Sequence, residues 1–122
     1  MTLQNNRYVI LWHHDIDEPH YDLMFESAPG SDLATWRSLI WPIESQTPVI
    51  RLRNHRRAFL NYQGQLTGQR GSVQRIASGE FQLQIGEDAV WNIKLLSGAP
   101  PMTFVIRQIN HDRWLADHSA TP

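Results

Sequence analysis

Short runs of β-branched and aromatic residues, each closed by Gly, Pro, Asn or Asp, follow one another at intervals of about ten residues, the rhythm of antiparallel strands joined by tight turns. The runs fall at residues 8–14, 20–26, 33–41, 49–53, 60–62, 72–76, 80–85, 89–96, 102–108 and 114–116. None extends into the 3.6-residue periodicity of a long amphipathic helix. About eight short strands argue for an all-β barrel or sandwich. A chain of 122 residues has room for one hydrophobic core, so a single domain over 1–122 is expected.

Residues 8–14 begin with Tyr-Val-Ile-Leu-Trp, apolar at every position, and read as a strand buried on both faces. A turn at 15–19 follows. Residues 20–26 then alternate, with His20, Asp22, Met24 and Glu26 on one face and Tyr21, Leu23 and Phe25 on the other. The apolar face belongs to the main core and the His/Asp face to a cleft or to solvent. Prolines at 42 and 48 mark a loop that excludes a central strand there. Residues 64–71 form a Gly-containing loop.

Zero Cys removes disulfide scaffolds, thiolate zinc sites and cysteine nucleophiles, so any metal must be held by His and carboxylate. The net charge of -1 conceals a segregation of sign. Residues 1–44 carry Asp15, Asp17, Glu18, Asp22, Glu26, Asp32 and Glu44 against Arg7 and Arg37. Residues 51–76 carry Arg51, Arg53, Arg56, Arg57, Arg70 and Arg75 with no acid. Guanidinium groups grip phosphate through paired hydrogen bonds, so this stretch suits an anionic ligand; a solvated cationic face is the plainer alternative.

The residues with chemistry to explain are His14, His20 and Asp22. His20 and Asp22, two apart in a strand, project from one surface with Cβ atoms about 6 to 7 Å apart. His14 ends the preceding strand, and the connection at 15–19 can bring it alongside. Two imidazoles and one carboxylate leave coordination positions open and suit Mn, Zn, Fe or Co. His13 should point to the opposite face from His14 and is read as structural or exposed. His55, within Arg-Leu-Arg-Asn-His-Arg-Arg, is a phosphate contact, a general acid or a surface residue. Asp15, Asp17 and Glu18 are read as a solvated turn, His111 and His118 as surface residues, and the five Trp as core or barrel lining.

The string from His14 through five residues to His20-Tyr21-Asp22, continuing to Phe25-Glu26, resembles the signature of the 3'-phosphoesterase domain found at the N-terminus of many bacterial end-joining DNA ligases D and as free-standing small proteins. Trp36, His55, Tyr62-Gln63-Gly64 and Arg70-Gly71-Ser72-Val73 follow in the family's order, so the resemblance runs over about residues 7–115. It implies a small antiparallel β-barrel that removes a terminal ribonucleoside and then the 3'-phosphate from nucleic-acid ends, in DNA repair by end joining, with manganese as cofactor; Zn or Co are the other candidates. His14, His20 and Asp22 would ligate the metal and His55 would contact the scissile phosphate. The chain departs from the family at Met24 and Phe59, where phosphate-binding Arg and Tyr are expected, and at Arg53, which stands in place of a Glu. Arg53, Arg56 and Arg70 are the candidates to replace the missing donors. Rival readings are an end-binding module that retains the metal without catalysis, and a phosphoesterase for another phosphate ester.

No apolar run approaches the ~20 residues of a membrane span. With a polar start at 1–7, a cytoplasmic protein with no membrane contact is expected, served by a separate ligase or polymerase.

Overall fold

The computed structural model describes residues 6–86 and 88–118; the first five residues, part of the polar start read above, lie outside them. Among the described residues the strands are β1 (Asn6–His14), β2 (His20–Glu26), β3 (Leu33–Ser38), β4 (Thr47–His55), β5 (Gly64–Gln65), β6 (Ser72–Ile85), β7 (Trp91–Leu95), β8 (Met102–Asn110) and β9 (Arg113–His118). Hydrogen bonding runs β1-β2-β3-β4-β9-β8-β7-β6, and β6 returns to pair with β1, so eight antiparallel strands close into a barrel. The two-residue β5 is appended to β6. No helix in the described chain is long and apolar enough to cross a membrane.

Alternation assigns the two faces of the wall. Tyr8 and Ile10 of β1, Leu23 and Phe25 of β2 and Trp36 of β3 point inward, meeting Phe81, Ile93 and Phe104 from the opposite side. Full burial of each such side chain contributes about 2 to 3 kcal/mol. Phe25 lies at the centre, with ring centroids 5.2 Å from Phe81, 6.0 Å from Trp36 and 6.2 Å from Phe104.

A second, smaller core lies outside the barrel. Val9, Leu11, Met24, Leu33 and Val73 face outward and are covered by Leu60, with Phe59 and Leu66 packed alongside. The cover explains why residues 8–12 of β1 are apolar at every position. It also corrects the expectation of a strand at 60–62. The chain instead makes one turn of 3-10 helix, Arg57–Leu60, whose single buried residue, Leu60, anchors it to the wall. The buried carboxylate of Glu26 holds this turn by pairing with Arg57, and accepts backbone N–H bonds from Arg7 at 3.1 Å and Gly30 at 3.2 Å.

Two irregularities of register position the later residues. Opposite Ile10 and Leu11 of β1, the partners in β6 are Ala77 and Arg75, so Ile76 is skipped as a bulge. The extra residue reverses parity: Ala77 and Phe81 face in, whereas Val73 faces out beside His13. The runs at 72–76 and 80–85 are therefore one strand bent at a bulge. Opposite Thr35 and Leu33 of β3 stand Leu52 and His55 of β4, again one residue too many. This bulge keeps His55 on the outer face and separates Arg53 from Arg51, whose guanidinium lies 4.8 Å from the Trp36 ring. Pro48 belongs to β4 after all; β3 joins only from Val49, so the missing N–H falls near the strand's open end.

Candidate metal centre and cationic cleft

The β1–β2 register places His13 directly opposite His20 and Leu11 opposite Asp22. Cross-strand partners share a face, and Asp22 is two residues beyond His20, so His13, His20 and Asp22 converge on the outer wall. Each offers one ligating atom within 4.8 Å of the others. The expected member His14 is corrected to His13: as its neighbour in the strand, His14 turns to the other face, where Nδ1 lies 3.3 Å from the exposed Asp15 carboxylate. The position of His14 at the end of its strand, next to the connection at 15–19, and the family resemblance suggested the first choice. Alternation in β1 gave no warning, because both of its faces are apolar.

The hydrogen bonds fix the tautomers. His20 Nδ1 lies 2.8 Å from the Glu18 carbonyl and His13 Nε2 lies 2.7 Å from the Arg70 carbonyl. A carbonyl only accepts, so both nitrogens carry hydrogen and donate. In the neutral rings the inner nitrogens, His20 Nε2 and His13 Nδ1, then present lone pairs to Asp22, at 3.3 Å from Oδ1 and 3.5 Å from Oδ2. His20 Nε2 and Asp22 Oδ1 are buried and have no hydrogen-bond partner of proper direction, although the distance would allow one. Such an arrangement calls for a proton or a cation between the donors.

The donor set fits a divalent ion. Ligands about 2.1 Å from a tetrahedral ion stand about 3.4 Å from one another, close to the observed separations from Asp22. Imidazole N–H groups donated outward to carbonyls are also the usual second contact of metal-binding histidines. Burial would raise the Asp22 carboxyl, but contacts with His13 and then His20, together with their positive charge, outweigh it and hold the group at about 2. The same contact with Asp22 raises His13 above its ordinary value; burial opposes this and the Arg70 carbonyl adds to it.

His13 and Asp22 open onto a cleft of about 400 Å³ that Arg53, His55, Arg56 and Arg70 also line. All four residues expected to contact phosphate thus share one cleft with two of the converging three. His55 is oriented by its Nδ1, 3.0 Å from the Arg53 carbonyl. Arg70 is tethered through Nε to the Thr67 carbonyl at 2.8 Å and through Nη2 to the Thr67 hydroxyl at 3.0 Å. Among the described residues neither Arg53 nor Arg56 has a carboxylate partner; Arg57, paired with Glu26, is the arginine that does. Met24 is buried in the cleft floor, and Phe59 stands edge to face with His55 at 5.8 Å. The contribution of the Arg70 main chain was invisible in sequence, since a backbone carbonyl has no residue type.

No protein-family model matches the chain, and no curated protein matches it.

Proposed function

We propose that the chain is a metal-dependent phosphoesterase acting on the 3' ends of nucleic acid, with His13 in the place first expected of His14. One observation carries this reading: His13, His20 and Asp22 converge, and two of them, His13 and Asp22, line the same cleft as three arginines and His55. A divalent ion held by the three donors, Mn being the candidate, would polarise a phosphoryl oxygen and lower the pKa of bound water. Arg53, Arg56 and Arg70 bind the phosphate oxygens and neutralise charge that grows during displacement. They supply the hydrogen bonds that Met24 and Phe59 cannot make. With Nδ1–H donated to the Arg53 carbonyl, His55 has Nε2 left to give or take a proton at the leaving oxygen. Removal of a 3'-ribonucleoside and 3'-phosphate would prepare an end for a separate ligase or polymerase of end joining.

The test is incubation of the purified chain and Mn with a primer-template bearing a 3'-terminal ribonucleotide or 3'-phosphate. Release of nucleoside or phosphate is expected, with loss of both turnover and Mn binding in His13→Ala and His20→Ala, and retention of both in His14→Ala. Tight binding without release would make the protein an end-binding module, and cleavage confined to small phosphoesters would redirect the substrate. Loss of Mn binding in His14→Ala but not in His13→Ala would overturn the site itself.

A further inference from the structure

Beside the phosphate cleft lies a second one, of about 260 Å³, between the 3-10 turn and the loop that follows it. Phe59, Leu66, Arg56 and Arg70 line both, so the two clefts adjoin across a partition of two apolar and two cationic side chains. Tyr62 belongs to the second cleft alone. Its ring meets that of Phe59 at 86°, with centroids 6.2 Å apart, and the two form an aromatic corner. The Tyr62 hydroxyl donates to the Gln65 carbonyl, so this 40% exposed ring is held in place before any ligand arrives. Phe59 has no hydrogen-bonding group and can engage a ligand only by the face or edge of its ring.

We infer that this corner is a base-stacking subsite, taking the nucleobase attached to the phosphate held next door. The inference rests on the phosphate-binding reading of the first cleft. Arg56 and Arg70, common to both clefts, demand an anion, while the Phe59–Tyr62 corner demands a flat apolar group; a nucleotide joins the two within one covalent unit. A stacked base lies against one ring and meets the edge of the other, the geometry that aromatic pairs prefer. Such a platform accepts any base, because every base has a π-face, so recognition here is of a nucleic-acid end and not of a sequence. Phosphorylated sugars and inorganic phosphate would fill the first cleft and leave the second without a contact.

The experiment uses the Mn-loaded full chain and a short labelled strand ending in a 3'-methylenephosphonate, in which carbon replaces the bridging oxygen and blocks hydrolysis. A second strand is identical but abasic at its last residue. Fluorescence anisotropy should give an affinity roughly tenfold higher for the base-bearing strand. Tyr62→Ala should reduce that ratio to near unity without weakening the abasic strand, and Tyr62→Phe, which keeps the ring, should preserve most of it. Equal affinities in the wild type, or an unchanged ratio in a folded Tyr62→Ala, overturn the subsite. Inorganic phosphate should displace both strands. If it displaces them while the ratio is unity, the subsite fails and the phosphate cleft stands; if the ratio holds and phosphate displaces neither, the phosphate reading fails instead.

Discussion

In the proposed metal centre proton and cation would compete for the same three groups, so the response of this cluster to pH tests the proposal. Asp22 titrates at about 2 in the folded chain against an ordinary value of 3.8, so it stabilises the fold above about 3.8, and that stabilisation is lost as pH falls toward 2. The shift corresponds to about 2 kcal/mol. His13 is raised above its ordinary 6.5, so its contribution is complete below 6.5 and disappears as pH rises through the raised value. Urea unfolding of the metal-free chain should therefore show this cluster strongest between about pH 4 and 6.5, and Asp22→Asn should flatten both flanks. Metal binding must expel the proton from His13, so Mn affinity measured by calorimetry should fall as the solution is acidified below neutrality. An affinity independent of pH across that range would exclude His13 as a ligand.

At the scale of elements, the site depends on a loop pressed against a hairpin. Gly71, at φ +83°, passes so close to the β1–β2 turn that a Cβ there would lie 2.4 Å from the His14 carbonyl oxygen and 2.6 Å from the Ile16 side chain. This approach carries the preceding carbonyl, of Arg70, to His13 Nε2. Gly71→Ala should cost about 2 kcal/mol or more through strain and clash, and should also weaken Mn binding by displacing that carbonyl. Gly68 provides the control: its φ is +72°, but nothing lies within 4 Å of an added Cβ. Gly68→Ala should cost only the left-handed strain of about 1 to 2 kcal/mol and leave Mn affinity intact. Thermal melts paired with calorimetry separate the two effects. The bulges in β4 and β6 act at the same scale, each turning one residue out of the ladder so that His55 and Val73 reach the outer wall.

Across the whole molecule, the arginine-rich stretch serves several purposes. Arg53, Arg56 and Arg70 face the cleft, Arg57 holds the cover to Glu26, and Arg51 lies against Trp36 inside a run of bonds to the Thr35 and Leu52 carbonyls. Cleft arginines that neutralise single-strand phosphates release counterions, with a slope of log affinity against log salt of about -0.7 per phosphate. Three contacts predict a slope near -2, which Arg53→Ala should make shallower by about 0.7, whereas Arg51→Lys should leave it unchanged. A titration of strand binding from low to moderate salt measures both.

An all-β fold of short antiparallel strands with little helix, barrel or sandwich, was legible from the punctuated apolar runs, because alternation and turn chemistry act over a few residues and leave their mark locally; closure into a barrel was decided by the pairing of β6 with β1. The inward face of β2 and the chemical kinds at the site, imidazole, carboxylate and guanidinium, were legible for the same reason. Which histidine joins His20 and Asp22 was not. That choice follows from the pairing of His13 with His20 across two strands, and β1, apolar on both sides under its external cover, carried no alternation to reveal it. The cover, the bulges and the Arg70 carbonyl arise from contacts between segments far apart in the chain, where the physical cause is packing and no local pattern records it.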